Sequence, residues 1–417
     1  MVISATLAID EETERRRRAG RPVLPLGFGE AGLPVHKSLE RALAAHAGCG
    51  WYGPVAGIPE LRAAAAGYWD RRGLPTSPER VIAGPGSKPL LFGLLITLDG
   101  AVALPRPSWV SYGAQASLIG RDALYVATRP GQGGVPDPDR LDALARTARR
   151  DGRPLAAVVL TLPDNPTGTL AADSTVRAAC EVAERHDLVV ISDEIYRDLV
   201  HDDPTSYLSP AEVIPHRTVV TTGLSKSLAL GGWRIGVARL PDGPRGAALT
   251  GEVASIASEI WSVPAVPVQR AAAWAFTEPA CLRERILLSR RLHGRVARAV
   301  ADELRGAGAE VPQPQGGFYL YPDFETHRDR LRTVHGVDDG PGLATALLEG
   351  PGIATLPGSA FGDATSALRL RVATSRLYGS TQEQREDALT AHDPLALPWI
   401  AAQLADLRTG LDQLLLA

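Results

Sequence analysis

From Val81 onward the chain alternates short apolar runs rich in β-branched residues with longer alanine-rich stretches of helical period. Ala156-Ala157-Val158-Val159-Leu160 is followed by a helical pattern over residues 175–186, and that pattern by Leu188-Val189-Val190-Ile191. An apolar run without polar alternation is a strand covered on both faces, and a helical crossover joins parallel strands. The order therefore predicts an α/β protein, a mostly parallel sheet sandwiched by helices. Further strands are expected at 101–104, 123–126, 217–221 and 234–238, each bounded by Gly, Pro or Asp. In open sheets of this kind ligands collect at the carboxyl ends of the strands, which singles out the polar residues that follow the runs: Ser87, Trp109, Asn165, Asp193 and Lys226.

A long helical stretch at 279–304 reads as the bridge to a second region with strand-like pieces at 317–321 and 368–373 and a final amphipathic helix over 399–416. Residues 22–37 lack a clear period and read as an arm that packs across the site or a neighbour. The expected division is an N-terminal arm over 1–45, a large domain over 46–289 and a smaller α+β domain over 290–417.

Charge and cysteine usage narrow the ligand. In 417 residues, 44 basic side chains nearly balance 47 acidic ones, so nothing global suggests nucleic acid or an anionic membrane; a small molecule is expected. Cys49, Cys180 and Cys281 are too few and scattered for a disulfide framework, and neither they nor the nine histidines show metal-ligand spacing. The start, Met1-Val2-Ile3-Ser4, turns charged between Glu11 and Arg18 without an export signal, so a reducing cytoplasm and no membrane span are expected.

The chemistry concentrates in Ser225-Lys226 and Gly232-Trp233-Arg234-Ile235-Gly236. A lysine in a desolvated pocket becomes a nucleophile and carbonyl partner, and an arginine fork clamps a phosphate; Schiff-base cofactor chemistry needs both. Asp193 follows the run Val189-Val190-Ile191-Ser192, where a buried carboxylate needs a cationic partner or caps a helix. Leu162-Pro163-Asp164-Asn165-Pro166-Thr167-Gly168 is a turn by composition, with an asparagine able to donate to a phenolate. Gly84-Pro85-Gly86 lacks the third glycine of a dinucleotide fingerprint, and Gly86-Ser87-Lys88 lacks the spacer of a nucleotide loop.

Taken in order with Gly27-Phe28-Gly29-Glu30, Tyr52-Gly53-Pro54, Pro107-Ser108-Trp109, Ser192-Asp193-Glu194-Ile195-Tyr196 and Leu368-Arg369-Leu370, these pieces resemble the pyridoxal-phosphate enzymes of the aspartate-aminotransferase fold, the class I and II aminotransferases of fold type I. The resemblance implies pyridoxal 5′-phosphate as cofactor, held by Lys226 as a Schiff base that also acts as the base in proton transfer. It implies Asp193 on the ring nitrogen, Asn165 and Tyr196 on the ring oxygen, Trp109 stacked on the ring, and the phosphate on the amides of Ser87 and Lys88 with Ser225 and Arg234. Tyr52 would come from the neighbouring subunit of a homodimer. Arg369 would take the α-carboxylate of an amino acid with Gly29 and Asn165; Arg371, two residues on, faces the same side of a strand, and the sequence does not separate the two.

Two positions depart from the family pattern. Gly223 stands where many members have a serine for the phosphate, and residues 255–264 offer Glu259 and Trp261 but no arginine. The substrate side chain is therefore expected to be non-acidic, lined by Trp261. The implied reaction is amino transfer between an α-amino acid and a 2-oxo acid; a β-eliminating lyase, a cyclising synthase or an oxidase would use the same residues. Aminotransferase-like effector sensors carry a DNA-binding domain before the core, for which the arm ahead of Tyr52 is short.

Overall fold

A computed structural model describes residues 3–202 and 207–415. Among the described residues thirteen strands run in chain order: β1 (Leu24–Pro25), β2 (Val81–Gly84), β3 (Ala101–Arg106), β4 (Ala123–Arg129), β5 (Gln132–Pro136), β6 (Leu155–Thr161), β7 (Val189–Asp193), β8 (Thr218–Gly223), β9 (Gly236–Arg239), β10 (Tyr319–Leu320), β11 (Ile353–Ala354), β12 (Leu356–Pro357) and β13 (Leu370–Ala373). Eight form one sheet in the order β2-β9-β8-β7-β6-β3-β4-β5. Its centre, from β8 to β4, is parallel, and β9 and β5 run against their neighbours.

The apolar runs explain the layering. Every residue of β2, β7 and β8 is buried, because helices cover both faces. One face packs against the helix Ser87–Thr97 through Leu90, Leu91 and Leu94; another packs against the helices Pro138–Arg150 and Asp173–Arg185 through Leu141, Ala145, Val176 and Ala183. The strand expected from residue 234 starts only at Gly236, because Arg234 takes φ 53°, ψ 60°, a left-handed conformation that no strand continues. Strand β5, rich in glycine, carried no strand signal.

A second region contains the antiparallel sheet β10-β13-β12 and the pair β1-β11. The helix Ala280–Gly306 supplies its floor, with Leu292, Val296, Val300 and Leu304 packed among Leu320, Leu370 and Val372. The final helix spans Pro398–Leu415; Leu416, like Met1 and Val2, lies outside the described residues. The N-terminal segment is more ordered than an arm: residues Ala5–Arg18 form a helix tied down by Arg16 to Glu349 and by Asp10 to Arg376. Among the described residues no helix is long and apolar enough to cross a membrane.

Candidate functional site

A cavity of about 430 Å³, within the range of small-molecule sites, opens at the carboxyl ends of the central strands, where the two regions meet. Asp193, the last residue of β7, sits at its base. Burial pushes its carboxyl up to about 6; opposing that, Tyr112 donates to Oδ2 at 2.8 Å and the amide of Ile195 to Oδ1 at 3.3 Å. Beside it Lys226, on the short helix Leu224–Ser227 after β8, points inward and donates to the Gly29 carbonyl at 2.6 Å. Burial draws its ammonium down to about 8, against the pull of Glu30 and Asp193 toward the charged form. Trp109 caps the helix Val110–Leu118 and meets Tyr112 edge-on, ring centroids 5.2 Å apart.

One end of the cavity is built for an anion. Gly86, at φ 96°, turns the chain from β2 into the helix Ser87–Thr97, so the amides of Ser87 and Lys88 form its first turn. A Cβ on Gly86 would lie 2.3 Å from the Arg234 guanidinium, so glycine admits that fork to the helix terminus. Arg234 is anchored there by the carbonyls of Gly231 and Pro85, at 2.9 and 3.3 Å. Its left-handed backbone costs on the order of 1–3 kcal/mol and aims the fork inward.

Ten of the residues singled out in sequence line this cavity: Gly29, Ser87, Lys88, Trp109, Asn165, Asp193, Tyr196, Ser225, Lys226 and Arg234. Three do not. Arg369 lies outside it, bonded to Asp323 at 2.7 Å and close to Asp363 at 3.4 Å, with 42% of its side chain exposed. Arg371 lines the wall instead, buried, donating to the Gly27 carbonyl and lying 5.0 Å from the Tyr319 ring centroid. The two arginines share a strand face, but two residues along it separate the rim, where aspartates neutralise Arg369, from the cavity. The charge of Arg369 is already matched, whereas Arg371 has no carboxylate partner among the described residues. Tyr52 is 88% exposed, and Trp261 packs beside Gly93 and Ile256 away from the cavity of its own chain.

Sequence reasoning passed over Tyr112, Tyr319, Phe28, Thr6 and Leu7, which also line the wall. Tyr112 was within reach of a pattern: three residues after Trp109 on one helix, it shares that face. The others come from segments whose place depends on packing between distant parts of the chain.

The residues fit pyridoxal phosphate. Four cationic side chains, Lys88, Lys226, Arg234 and Arg371, face the cavity against two carboxylates, Glu30 and Asp193, a balance that suits a phosphate and a carboxylate together. Two buried polar atoms, Asn165 Oδ1 and Arg371 Nε, have no hydrogen-bond partner. The whole chain has three lysines, and Lys37 is a surface residue paired with Glu40, which leaves Lys226 and Lys88 to meet a cofactor aldehyde. Among the described residues no cluster of His, Cys, Asp and Glu could hold a metal ion.

Comparison with known proteins agrees with this geometry. The family model "Aminotransferase class I and II" matches residues 22–388. The chain is 33% identical over 380 residues to the aspartate/prephenate aminotransferase of Thermus thermophilus, covering 89% of this chain and 92% of that one. It is also 33% identical over 382 residues to the aspartate aminotransferase of Geobacillus stearothermophilus, with the same coverage. The solved structure of the Thermus thermophilus aspartate aminotransferase with maleate superimposes with a TM-score of 0.80 at 30% identity, covering 93% of this chain and 96% of that one. The chain belongs to the class I and II aminotransferases, the pyridoxal-phosphate-dependent transaminases of fold type I.

Proposed function

We propose that Lys226 carries the cofactor and moves the proton in a transamination between an α-amino acid and a 2-oxo acid. The observation that carries this reading is the half-buried Lys226 itself, pointing into the cavity to the Gly29 carbonyl, its ammonium drawn down to about 8 by desolvation. That value puts a base near neutral pH at the base of the cavity. Bound there, pyridoxal phosphate supplies an electron sink for the substrate α-carbon. Asp193 would hold a proton on the ring nitrogen, with Tyr112 fixing the carboxylate; Asn165 and Tyr196 would bond the ring oxygen, Trp109 would cover the ring, and Ser87, Ser225 and Arg234 would hold the phosphate. Arg371 takes the α-carboxylate, with Gly29 and Asn165 beside it.

With Arg234 and Arg371 so assigned, Lys88 is a cavity cation without an anion. Its ammonium lies 5.0 Å from the Trp109 ring centroid, and burial, with Arg234 beside it, lowers its proton affinity. A second carboxylate on the substrate relieves that. In place of the non-acidic side chain expected from residues 255–264, we therefore assign an acidic amino acid as donor. The aspartate aminotransferases among the relatives support this choice. A homodimer belongs to the same reading: Trp51, Tyr52 and Ile260 expose 50%, 88% and 49% of their surface, apolar and aromatic area that a second copy would cover, bringing Tyr52 to the neighbouring phosphate. A cytoplasmic setting, suggested by three free cysteines, and the domain division 1–45, 46–289 and 290–417, suggested by the separation of the large sheet from the two small ones, complete it.

The test is direct. The purified protein, loaded with pyridoxal phosphate and mixed with single amino acids, should lose its visible band and release the 2-oxo acid, fastest with aspartate or glutamate. Ammonia release with oxygen uptake, or loss of a β-substituent, would contradict transamination.

A further inference from the structure

One guanidinium behind the substrate wall gathers three pieces of the chain. Arg376 stands in the turn Ser375–Tyr378, just after β13, the strand that carries Arg371. Its Nη1 pairs with Asp10 of the first helix and its Nη2 with Glu30 at 3.1 Å. The guanidinium carbon lies 4.7 Å from the Phe28 ring centroid, and the neighbouring Ser375 hydroxyl donates to the Glu30 carbonyl. Both ends of the fork are engaged and an aromatic face meets it, so the side chain is held in one place. Phe28 and Glu30 line the cavity, while Arg376 stands behind them.

Glu30 is the cavity group that the chemistry above leaves without a task. Of the two carboxylates there, Asp193 meets the ring nitrogen; Glu30 meets nothing on the cofactor. It is nevertheless close to the reacting centre, for it pulls the Lys226 ammonium toward its charged form more strongly than Asp193 does. A carboxylate left free at that point would be drawn to Arg371 and Lys88, the cations that the substrate needs. Tethered to the wall, it would compete with every incoming carboxylate at high effective concentration. We infer that Arg376 is a positioning residue that holds the Glu30 carboxylate away from the cavity cations and so keeps them free for the substrate.

This role rests on the acidic-substrate reading above and deepens it. A donor with two carboxylates needs both Arg371 and Lys88 unoccupied, whereas a donor with one needs Arg371 alone. Release of Glu30 therefore costs the first more than the second. Because the competition is for binding, it acts on KM and leaves the chemical step alone.

The experiment measures KM and kcat of the cofactor-loaded protein for aspartate and alanine in the wild type, Arg376→Gln, Glu30→Gln and the double variant. Glutamine keeps an aliphatic stem beside Phe28, and retention of the visible band shows that the site survives. Arg376→Gln should raise KM for aspartate about tenfold and for alanine about threefold, with kcat within about twofold, the scale of one partly solvated charge contact. In the Glu30→Gln background the same substitution should change KM less than about twofold, because the carboxylate it restrains is gone; lost packing would persist there. Asp10→Asn, which releases the other end of the fork and leaves Glu30 paired, should also keep KM within about twofold. An unmoved KM in Arg376→Gln, a rise that persists in the double variant, or an equal rise in Asp10→Asn overturns the inference. A wild type that takes alanine in preference to aspartate overturns the acidic-substrate reading instead, and the alanine half of the cycle still tests Arg376.

Discussion

The two walls of the cavity are built on different terms. The large-sheet wall draws Asp193, Asn165, Lys226, Ser87 and Arg234 from strand ends and the turns that follow them, so each is aimed by its own few neighbours. The opposite wall draws Arg371 and Tyr319 from the small sheet, Phe28 and Gly29 from the N-terminal segment, and Thr6 and Leu7 from the first helix. These are aimed by contacts between distant parts of the chain: Arg371 donates to Gly27, and Ser375 to Glu30. The cofactor side is therefore a property of local sequence, and the substrate side is a property of how the two regions dock.

Substitution of Lys226 strikes the first wall hardest. Lys226→Ala should abolish the visible band and lower the transamination rate about 10⁴-fold or more, measured as 2-oxo acid release at saturating substrate, because both nucleophile and base are lost. Across the cavity, Arg371→Leu should lower kcat/KM by about 10²–10³-fold while leaving the visible band in place, because a buried charge-assisted pair with the carboxylate is lost. Arg369→Leu, on the rim, should change kcat/KM less than about threefold, as expected of a partly exposed ion pair. If the order of the two were reversed, the second wall would be wrongly assigned.

The stability of the cofactor-free protein carries the next effect. Lys226 binds its proton more weakly when folded, at about 8, than its ordinary 10.5 in an unfolded chain. Between those values the unfolded chain holds more protons, so the Lys226 contribution to stability rises with pH over that window. Below about pH 8 the cost of burying the ammonium is constant, on the order of 3 kcal/mol. Lys226→Met should therefore stabilise the cofactor-free protein at pH 7 and flatten the rise between pH 8 and 10, read by urea unfolding. The smallest effect sharpens the substrate side. Lys88→Ala should raise KM for aspartate about tenfold, the scale of one partly solvated charge contact, and leave KM for alanine unchanged.

The same contrast sets how much was legible in the sequence. The parallel sheet, the ends of β7 and β8 and the turn at Asn165 are written in apolar runs and turn residues a few positions long, and the structure follows them closely. The choice between Arg369 and Arg371 was not legible, because alternation gives both the same face. What separates them is Asp323 and Asp363, brought to the rim by folding at a distance. The first helix was missed for a similar reason: its arginine-rich sequence has little apolar periodicity, and it is held by ion pairs to Glu349 and Arg376. Trp261 drew attention by its size, yet in a single chain it faces Gly93.

The central claim is that Lys226, and not Lys88, carries the cofactor. Borohydride reduction of the loaded protein fixes the cofactor to whichever lysine holds it, and peptide mapping then reads the position. A single labelled peptide containing Lys226 is the predicted result. Label on the peptide containing Lys88, or no label on either, would contradict the account.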